Sequence, residues 1–286
     1  MNRLARAARF VLLVTSGVYF GYGLLLWVFQ ERLLFPAPGG IDRLSLDQVA
    51  AEVGARPLEL AASDGTQLYA WHRPAPVRPG TRPRLAIYFG GNAEVVSGNL
   101  ATQRLLVNAG WDVLALAYRG YPGSAGSPDE AGLGLDAEAA WAWATGPGGY
   151  PPERVVLYGR SLGGGVASKL AAGPANPAAM VLESTFSSLT EVARAHLSLP
   201  YPLSWLLRSP FDSRSRAPQF GVPVFVMHSD DDEVIPFAVG GKRLVDVIAD
   251  VEFHEVRGLG HNDPIPVHEE SVRAALLAFL DRVVEP

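Results

Sequence analysis

The sequence predicts an α/β domain on a mostly parallel sheet of about eight strands, with helices on both faces and one transmembrane helix in front of it. Three observations carry this prediction. From Leu85 onward, short apolar β-type runs alternate with longer helix-compatible stretches, the pattern of parallel strands joined by helical crossovers. Phe10 to Phe29 is free of charge; as a helix it would measure roughly 30 Å, the thickness of a bilayer core. A strand-like run, Val155-Val-Leu-Tyr158, enters Gly159-Arg-Ser-Leu-Gly163 and leaves into a small-residue helical stretch. That layout sets a serine on a sharp strand-to-helix turn.

With 286 residues there is room for one large α/β domain or two small ones. The acidic balance (pI about 5.7) and the lack of basic tracts argue against nucleic acid as a partner. The absence of cysteine rules out disulfides, thiol catalysis and thiolate metal sites.

Arg3, Arg6 and Arg9 precede the uncharged run, and Glu31 and Arg32 follow it. The positive flank is therefore N-terminal. It makes residues 1–9 a basic cytoplasmic N-terminus, residues 10–29 a signal-anchor helix, and places the remainder on the outer side of the membrane. A cleaved signal peptide would have a shorter apolar core and a small-residue cleavage site, and no convincing site occurs before Pro36. Residues 30–54, with Pro36, Pro38, Gly39 and Gly40, read as a juxtamembrane connector to a domain at 55–286.

Within that domain, Pro57 to Ala61 and Gln67 to Trp71 flank Ser63-Asp-Gly65 and read as an antiparallel hairpin. Leu85 to Phe89, Asp112 to Ala117, Arg154 to Tyr158, Ala179 to Leu182, Val222 to Met227 and Val251 to Val256 read as strands. Asn99 to Ala109, Asp129 to Ala144, Ser161 to Ala172, Phe237 to Ile248 and Val267 to Val284 read as helices. Residues 189–217, rich in proline, interrupt the alternation and form either a small lid or a long connector.

Sites in such sheets gather at the carboxyl ends of strands. Ser161 lies at one, between glycines 159 and 163, which must stay nearly bare for the turn to close. A glycine-rich turn with an idle serine would show the same pentapeptide, so the context has to decide. Asp230, Asp231, Asp232 and Glu233 follow another strand, a position suited to a catalytic carboxylate. One loop does not easily supply the oxygens of a metal site, so no metal or cofactor is expected. Of the six histidines, His261 in Gly258-Leu-Gly-His-Asn-Asp combines a glycine-flanked loop, a strand's carboxyl end and the right chain order. His72 and His254 fall in strands, His196 in the interruption, His268 in a helix and His228 at a strand end. Serine, aspartate, histidine is the order of one known class of hydrolase triad, in which imidazole activates the hydroxyl and a carboxylate fixes the imidazole. Backbone donors for the developing oxyanion should come from Leu162 and from the loop Tyr88 to Glu94.

Beyond these features the chain resembles the single-pass, membrane-anchored α/β-hydrolases, the group that includes monoacylglycerol and lysophospholipid lipases. It is also similar to the wider serine-aminopeptidase-like and dienelactone-hydrolase-like branch. The matching segments are Leu33 to Pro36, Tyr88 to Glu94, Ala117 to Gly126, Gly159 to Gly164, Leu182 to Phe186, His228 to Pro236, and Gly260 to Asp263. The resemblance implies the α/β-hydrolase fold. It implies Asp232 as the acid, since the family's aspartate stands four residues after the histidine that is His228 here. It also implies the Asn92 N–H as the second oxyanion donor. Two positions depart from the family pattern: Gly90 replaces a usual histidine and Ser229 a usual glycine.

The expected function is a membrane-anchored serine hydrolase that cleaves lipid-like acyl esters through an acyl-enzyme on Ser161, Asp232 and His261. The motifs do not separate esters from amides, so a peptidase remains an alternative, as does a catalytically silent membrane scaffold.

Overall fold

Apolar runs closed off by glycine, proline or aspartate become strands here, and the alanine- and leucine-rich stretches between them become helices. The computed structural model describes residues 3–77, 79–173, 175–197 and 201–285. The chain opens with a long helix α1 (Arg3–Leu34) and a short α2 (Arg43–Glu52), then the hairpin β1 (Arg56–Ala61) and β2 (Gln67–Arg73). The alternating part runs β3 (Leu85–Phe89), α3 (Leu100–Asn108), β4 (Asp112–Ala117), α4 (Glu130–Thr145), β5 (Val155–Arg160), α5 (Leu162–Ala171) and β6 (Ala179–Glu183). Three short helices, α6 (Leu189–His196), α7 (Leu203–Leu206) and α8 (Ser213–Arg216), lead to β7 (Val224–Ser229). The chain ends with α9 (Gly241–Val245), β8 (Val251–Val256), α10 (Ile265–His268) and α11 (Glu270–Val283).

Among the described residues the strands form one eight-stranded sheet in the order β1-β2-β4-β3-β5-β6-β7-β8. β2 is antiparallel to β1 and β4, and every other pairing is parallel. The central strands β3, β5 and β6 are buried along their whole length because both faces are covered, whereas the edge strands β1 and β8 carry polar residues. Leu85, Ile87, Phe89, Val155 and Leu157 pack under α4 and α5. Their neighbours Ala86, Tyr88, Val156 and Tyr158 pack under α3 and α11. The register sets Phe89 beside Gly159 and Gly159 beside Leu182, so the carboxyl ends of β3, β5 and β6 lie level. The sheet thereby converges the loops that follow its strands on one edge.

Three segments differ from the sequence expectation. Residues 43–52, within the stretch read as connector, are helical. Asp42 caps α2 by accepting from the Ser45 N–H (2.7 Å), and the helix buries Leu46 and Ala50 in a small cluster with Tyr69 and Trp71. Leu46, Val49, Ala50 and Val53 keep a helical spacing against that cluster, which the proline- and glycine-rich residues 36–40 before them obscure. The expected helix Phe237 to Ile248 is broken into a 3₁₀ turn (Phe237–Val239) and α9. At Gly240 the chain crosses so close to His228 that a Cβ there would lie 2.5 Å from its Cε1. The last helix starts earlier than expected, as α10, and restarts after Glu269, whose carboxylate caps α11 at the Ser271 N–H (3.3 Å).

If α2 is held by its buried leucine, Leu46→Ala lowers unfolding stability in detergent by about 2–5 kcal/mol, the usual cost of emptying such a site. Urea denaturation followed by circular dichroism measures this directly, and a change near zero would mean that α2 does not pack.

Candidate active site

Between the last residue of β5 and the first of α5, Ser161 adopts φ 52°, ψ −117°. L-residues rarely take this conformation, and holding it costs on the order of 1–3 kcal/mol. The surroundings supply the restraint. The Ser161 N–H donates to the Glu183 carbonyl (2.9 Å), and its own carbonyl accepts from the Gly164 N–H (3.0 Å) and the Thr185 hydroxyl (2.7 Å). The two glycines of the pentapeptide are required by close approach. A Cβ on Gly163 would lie 1.9 Å from the Phe89 carbonyl oxygen, and one on Gly159 would lie 2.5 Å from that of Gly163.

The turn presents Ser161 Oγ to His261. Nε2 of the imidazole accepts from the hydroxyl at 2.9 Å, and Nδ1–H donates to Asp232 Oδ2 at 2.8 Å. All three residues are buried. Asp232 Oδ1 accepts from the N–H groups of Ile235 (2.7 Å) and Val234 (3.0 Å). Burial by itself would raise the Asp232 carboxyl. The hydrogen bonds from His228 and His261, with the Ile235 N–H, outweigh it and hold the group well below the usual carboxylate range.

The neighbouring acids have other work. Asp231 Oδ2 accepts from the Gly258 N–H (2.6 Å), and Glu233 Oε2 accepts from the His261 N–H (3.1 Å), so both staple the loop after β7 to the loop after β8. Asp230 faces Arg257 at 3.5 Å. Buried His228 accepts at Nδ1 from the Gly241 N–H (3.1 Å), which leaves its proton on Nε2, donated to the Ile235 carbonyl (2.8 Å). It therefore braces the loop that carries Asp232.

The expected oxyanion loop lies against the serine. Gly91 and Asn92 share one cavity wall with Ser161 and Leu162. Asn92 is steadied by the Tyr121 hydroxyl, which donates to its Oδ1 (3.2 Å), and the Gly90 carbonyl accepts from the Tyr118 hydroxyl (2.9 Å). Glu94 accepts from the Gly91 N–H (2.9 Å) and the Tyr88 hydroxyl (3.0 Å). Its side chain fills the space beside Gly90, where a Cβ would sit 3.2 Å from the Glu94 carboxyl carbon. The departure at Gly90 therefore goes with a loop tethered by Glu94.

Arg160 is the element that sequence reasoning missed. Its Nη1 lies 3.3 Å from Glu94 Oε2, and its Nη2 donates to the His261 carbonyl at 2.7 Å. One guanidinium thus ties the loop after β3 to the loop after β8, directly beneath the serine. Beside it lies fully buried Glu183, which accepts from the Tyr158 hydroxyl (2.7 Å) and the Ile265 N–H (2.8 Å). Burial pushes the Glu183 carboxyl up, and the Arg160 charge works against that rise. The only hint in the sequence is an arginine inside the serine motif. Its partner His261 stands 101 residues away.

The site opens into a cavity of about 340 Å³ with apolar walls that include Leu33, Leu34, Phe186, Leu189, Val192 and Ile235. Leu189 and Val192 come from α6, so the first part of 189–217 forms a wall of the pocket; residues 198–200 of that stretch lie outside the described residues. Leu33 and Leu34 come from the last turn of α1. Within Arg9–Leu34 of that helix an 18-residue window has a mean hydropathy of 1.8, and the helix is long and apolar enough to cross a membrane.

No protein-family model matches the chain. It is 36% identical over 273 residues to uncharacterized protein Rv2307c of Mycobacterium tuberculosis, a match covering 94% of this chain and 92% of that one. The structure resembles that of the Pyrococcus furiosus esterase Pf2001 with a TM-score of 0.64, over 86% of this chain and 96% of the other. Identity there is 18%, so the likeness is one of fold. The chain has the α/β-hydrolase fold. Among related α/β-hydrolases, the lysophosphatidylserine lipase ABHD12 of Xenopus tropicalis is 32% identical over 181 residues, which span 57% of this chain and 46% of that protein.

Replacing Arg160 by methionine leaves two buried carboxylates without their cation. The variant is expected to lose about 3–5 kcal/mol of stability, the scale for breaking a buried pair from one side. Adding Glu94→Gln should restore part of the loss, and a double-mutant cycle in urea measures the coupling.

Proposed function

We propose that this α/β-hydrolase is a serine esterase that cleaves long-chain acyl esters of lipids beside a membrane. The observation that carries the reading is the hydrogen-bonded line Ser161–His261–Asp232 at the floor of an apolar cavity. A free serine hydroxyl is a poor nucleophile, and an imidazole within hydrogen-bond reach makes it a competent one. As Oγ attacks the ester carbonyl, His261 Nε2 takes its proton, and the Asp232 carboxylate steadies the resulting imidazolium. The carbonyl oxygen, now negative, is received by the N–H groups of Asn92 and Leu162, each worth on the order of 10²–10³ in rate. The C–O bond then breaks, His261 returns the proton to the leaving alcohol, and the acyl group stays on Ser161. A water molecule deprotonated by His261 attacks the acyl-enzyme. It releases the fatty acid and restores the serine.

The apolar part of the cavity wall supports this substrate class. Leucine, isoleucine and phenylalanine side chains offer an acyl chain an apolar lining and offer a peptide's amides no partners. In this reading residues 1–9 are cytoplasmic, 10–29 span the membrane, 30–54 connect, and 55–286 form the catalytic domain on the outer side. That orientation rests on the arginines at 3, 6 and 9. The relationship to a lysophosphatidylserine lipase supports the choice of lipid esters.

A fluorophosphonate probe should label the full chain in membranes, and Ser161→Ala should abolish the label. Ser161→Ala should lower kcat by roughly 10⁶, and Asp232→Asn by about 10⁴. Across p-nitrophenyl esters, kcat/KM should rise from acetyl to long acyl chains. No labelling of wild type, or faster turnover of aminoacyl-arylamides than of esters, would sink the reading in favour of a silent scaffold or a peptidase respectively.

A further inference from the structure

The helix α7 packs against α6 on one side and, with Tyr201 before it, lies along α1 on the other. The Tyr201 ring stacks on Tyr19 with centroids 4.5 Å apart, and its hydroxyl donates to the Tyr19 carbonyl at 2.6 Å. The fit is close, since a Cβ on Gly23 would approach the Tyr201 ring to 2.9 Å. Between the two segments runs a groove of about 360 Å³, lined by Phe20, Leu24, Trp27, Pro202, Trp205 and Leu206. Trp205 is 86% exposed on its rim. For a residue of that apolar area in water, this is an unfavourable position.

A polar latch closes the groove at one end. Gln30, only 5% exposed, donates from Nε2 to the Leu206 carbonyl (3.0 Å) and accepts at Oε1 from the Arg208 N–H (2.7 Å). The Arg208 guanidinium lies over the Trp27 ring at 5.0 Å and 3.4 Å from Glu31. Tryptophan, arginine and glutamate at one level mark a membrane–water boundary. Tyr19 precedes Gln30 by eleven residues, which on a helix is about 16 Å, close to the half-thickness of a bilayer core. Tyr201, stacked on Tyr19, therefore sits far on the apolar side of the latch. The backbone of 202–206 suits that place. Pro202 has no N–H, and its carbonyl accepts from Trp205 (2.8 Å) and Leu206 (3.2 Å). The Leu203 carbonyl accepts from Leu207 (3.0 Å), and the Leu206 carbonyl is held by Gln30. These three carbonyls are thus paired, as hydrocarbon requires of backbone groups.

We propose that residues 201–206 enter the outer leaflet of the bilayer beside α1, with Trp205 facing hydrocarbon, and that the groove between them guides one acyl chain of a membrane lipid ester toward Ser161. The two apolar surfaces lie on one helix: α1 forms the groove from Phe20 to Trp27 and contributes Leu33 and Leu34 to the wall of the catalytic cavity, with the Gln30 latch between them. The substrate class is then a single-chain ester drawn sideways from the leaflet. This deepens the esterase reading and rests on it.

The chain's lack of cysteine makes the test clean. Trp205→Cys, Leu13→Cys and Val77→Cys each give the full chain one thiol for a bimane label, and each protein is placed in phosphatidylcholine vesicles carrying an acyl-chain nitroxide quencher. Val77 is 98% exposed on the catalytic domain and serves as the water-side reference. The label at 205 should lose most of its emission, as the label at 13 does, while the label at 77 keeps its own. Quenching at 13 without quenching at 205 overturns this inference and leaves the anchor and the esterase standing. Quenching at neither position overturns the inference together with the anchor. A second arm compares each variant with itself: Trp205→Asp should cut turnover of a vesicle-embedded long-chain monoacylglycerol roughly tenfold or more relative to its turnover of soluble p-nitrophenyl acetate. An unchanged ratio overturns the guided route. Fluorophosphonate labelling of the same samples reports separately whether Ser161 is active at all.

Discussion

The contact on which the site depends is the approach of Gly163 to the Phe89 carbonyl. The first turn of α5 rests against the end of β3, with no room for a single methyl group between them. This closeness lets β5 turn into α5 within one residue and forces Ser161 into its strained backbone conformation. It also brings the loop after β3 within one cavity's width of the serine. The strain is balanced locally by three hydrogen bonds at the Ser161 backbone, two of which come from β6 and the turn beyond it. The hydroxyl is thus positioned by the packing of three neighbouring strands.

The loops that converge on it are fastened to one another as well as to the sheet. Asp231 and Glu233 join the acid loop to the histidine loop, and Arg160 joins the histidine loop to the oxyanion loop. Of these, Arg160 is buried and its partner Glu94 half-buried, where an unpaired charge is expensive, while Asp231 and Glu233 lie at the exposed rim. Such an arrangement limits the freedom of all three loops together, because a shift in one would break a bond to another. Asp232 can hence be dedicated to the imidazole, with its second oxygen held by backbone N–H groups.

What the sequence makes legible follows from the range of the interactions. Strands β3, β4 and β8 match their expected bounds to the residue: β3 and β4 are nearly unbroken apolar runs, and β8 alternates apolar with polar residues as an edge strand does. The serine, its glycines and the histidine are legible because strand-to-helix chemistry imposes local spacing. Asp232 could be separated from Asp230 and Asp231 only through family resemblance, since composition treats the three alike. α2 does carry a helical period in Leu46, Val49, Ala50 and Val53, but the proline- and glycine-rich start of its segment reads as connector; the break at Gly240 is hidden because its cause, His228, lies on β7. Arg160 and Glu183 escape notice for the same reason. Their partners are 101 and 82 residues distant, and no pattern along the chain encodes such a pairing.

Leu33 and Leu34 belong to the first helix and yet face the serine's cavity. The segment that reads most readily as an address label is therefore also part of the tool. Shorn of that helix, the chain would keep its nucleophile but lose one wall of the chamber around it. Its taste for substrates would then be that of a different and wider vessel. In this protein the most apolar stretch of the chain also shapes the space beside its serine.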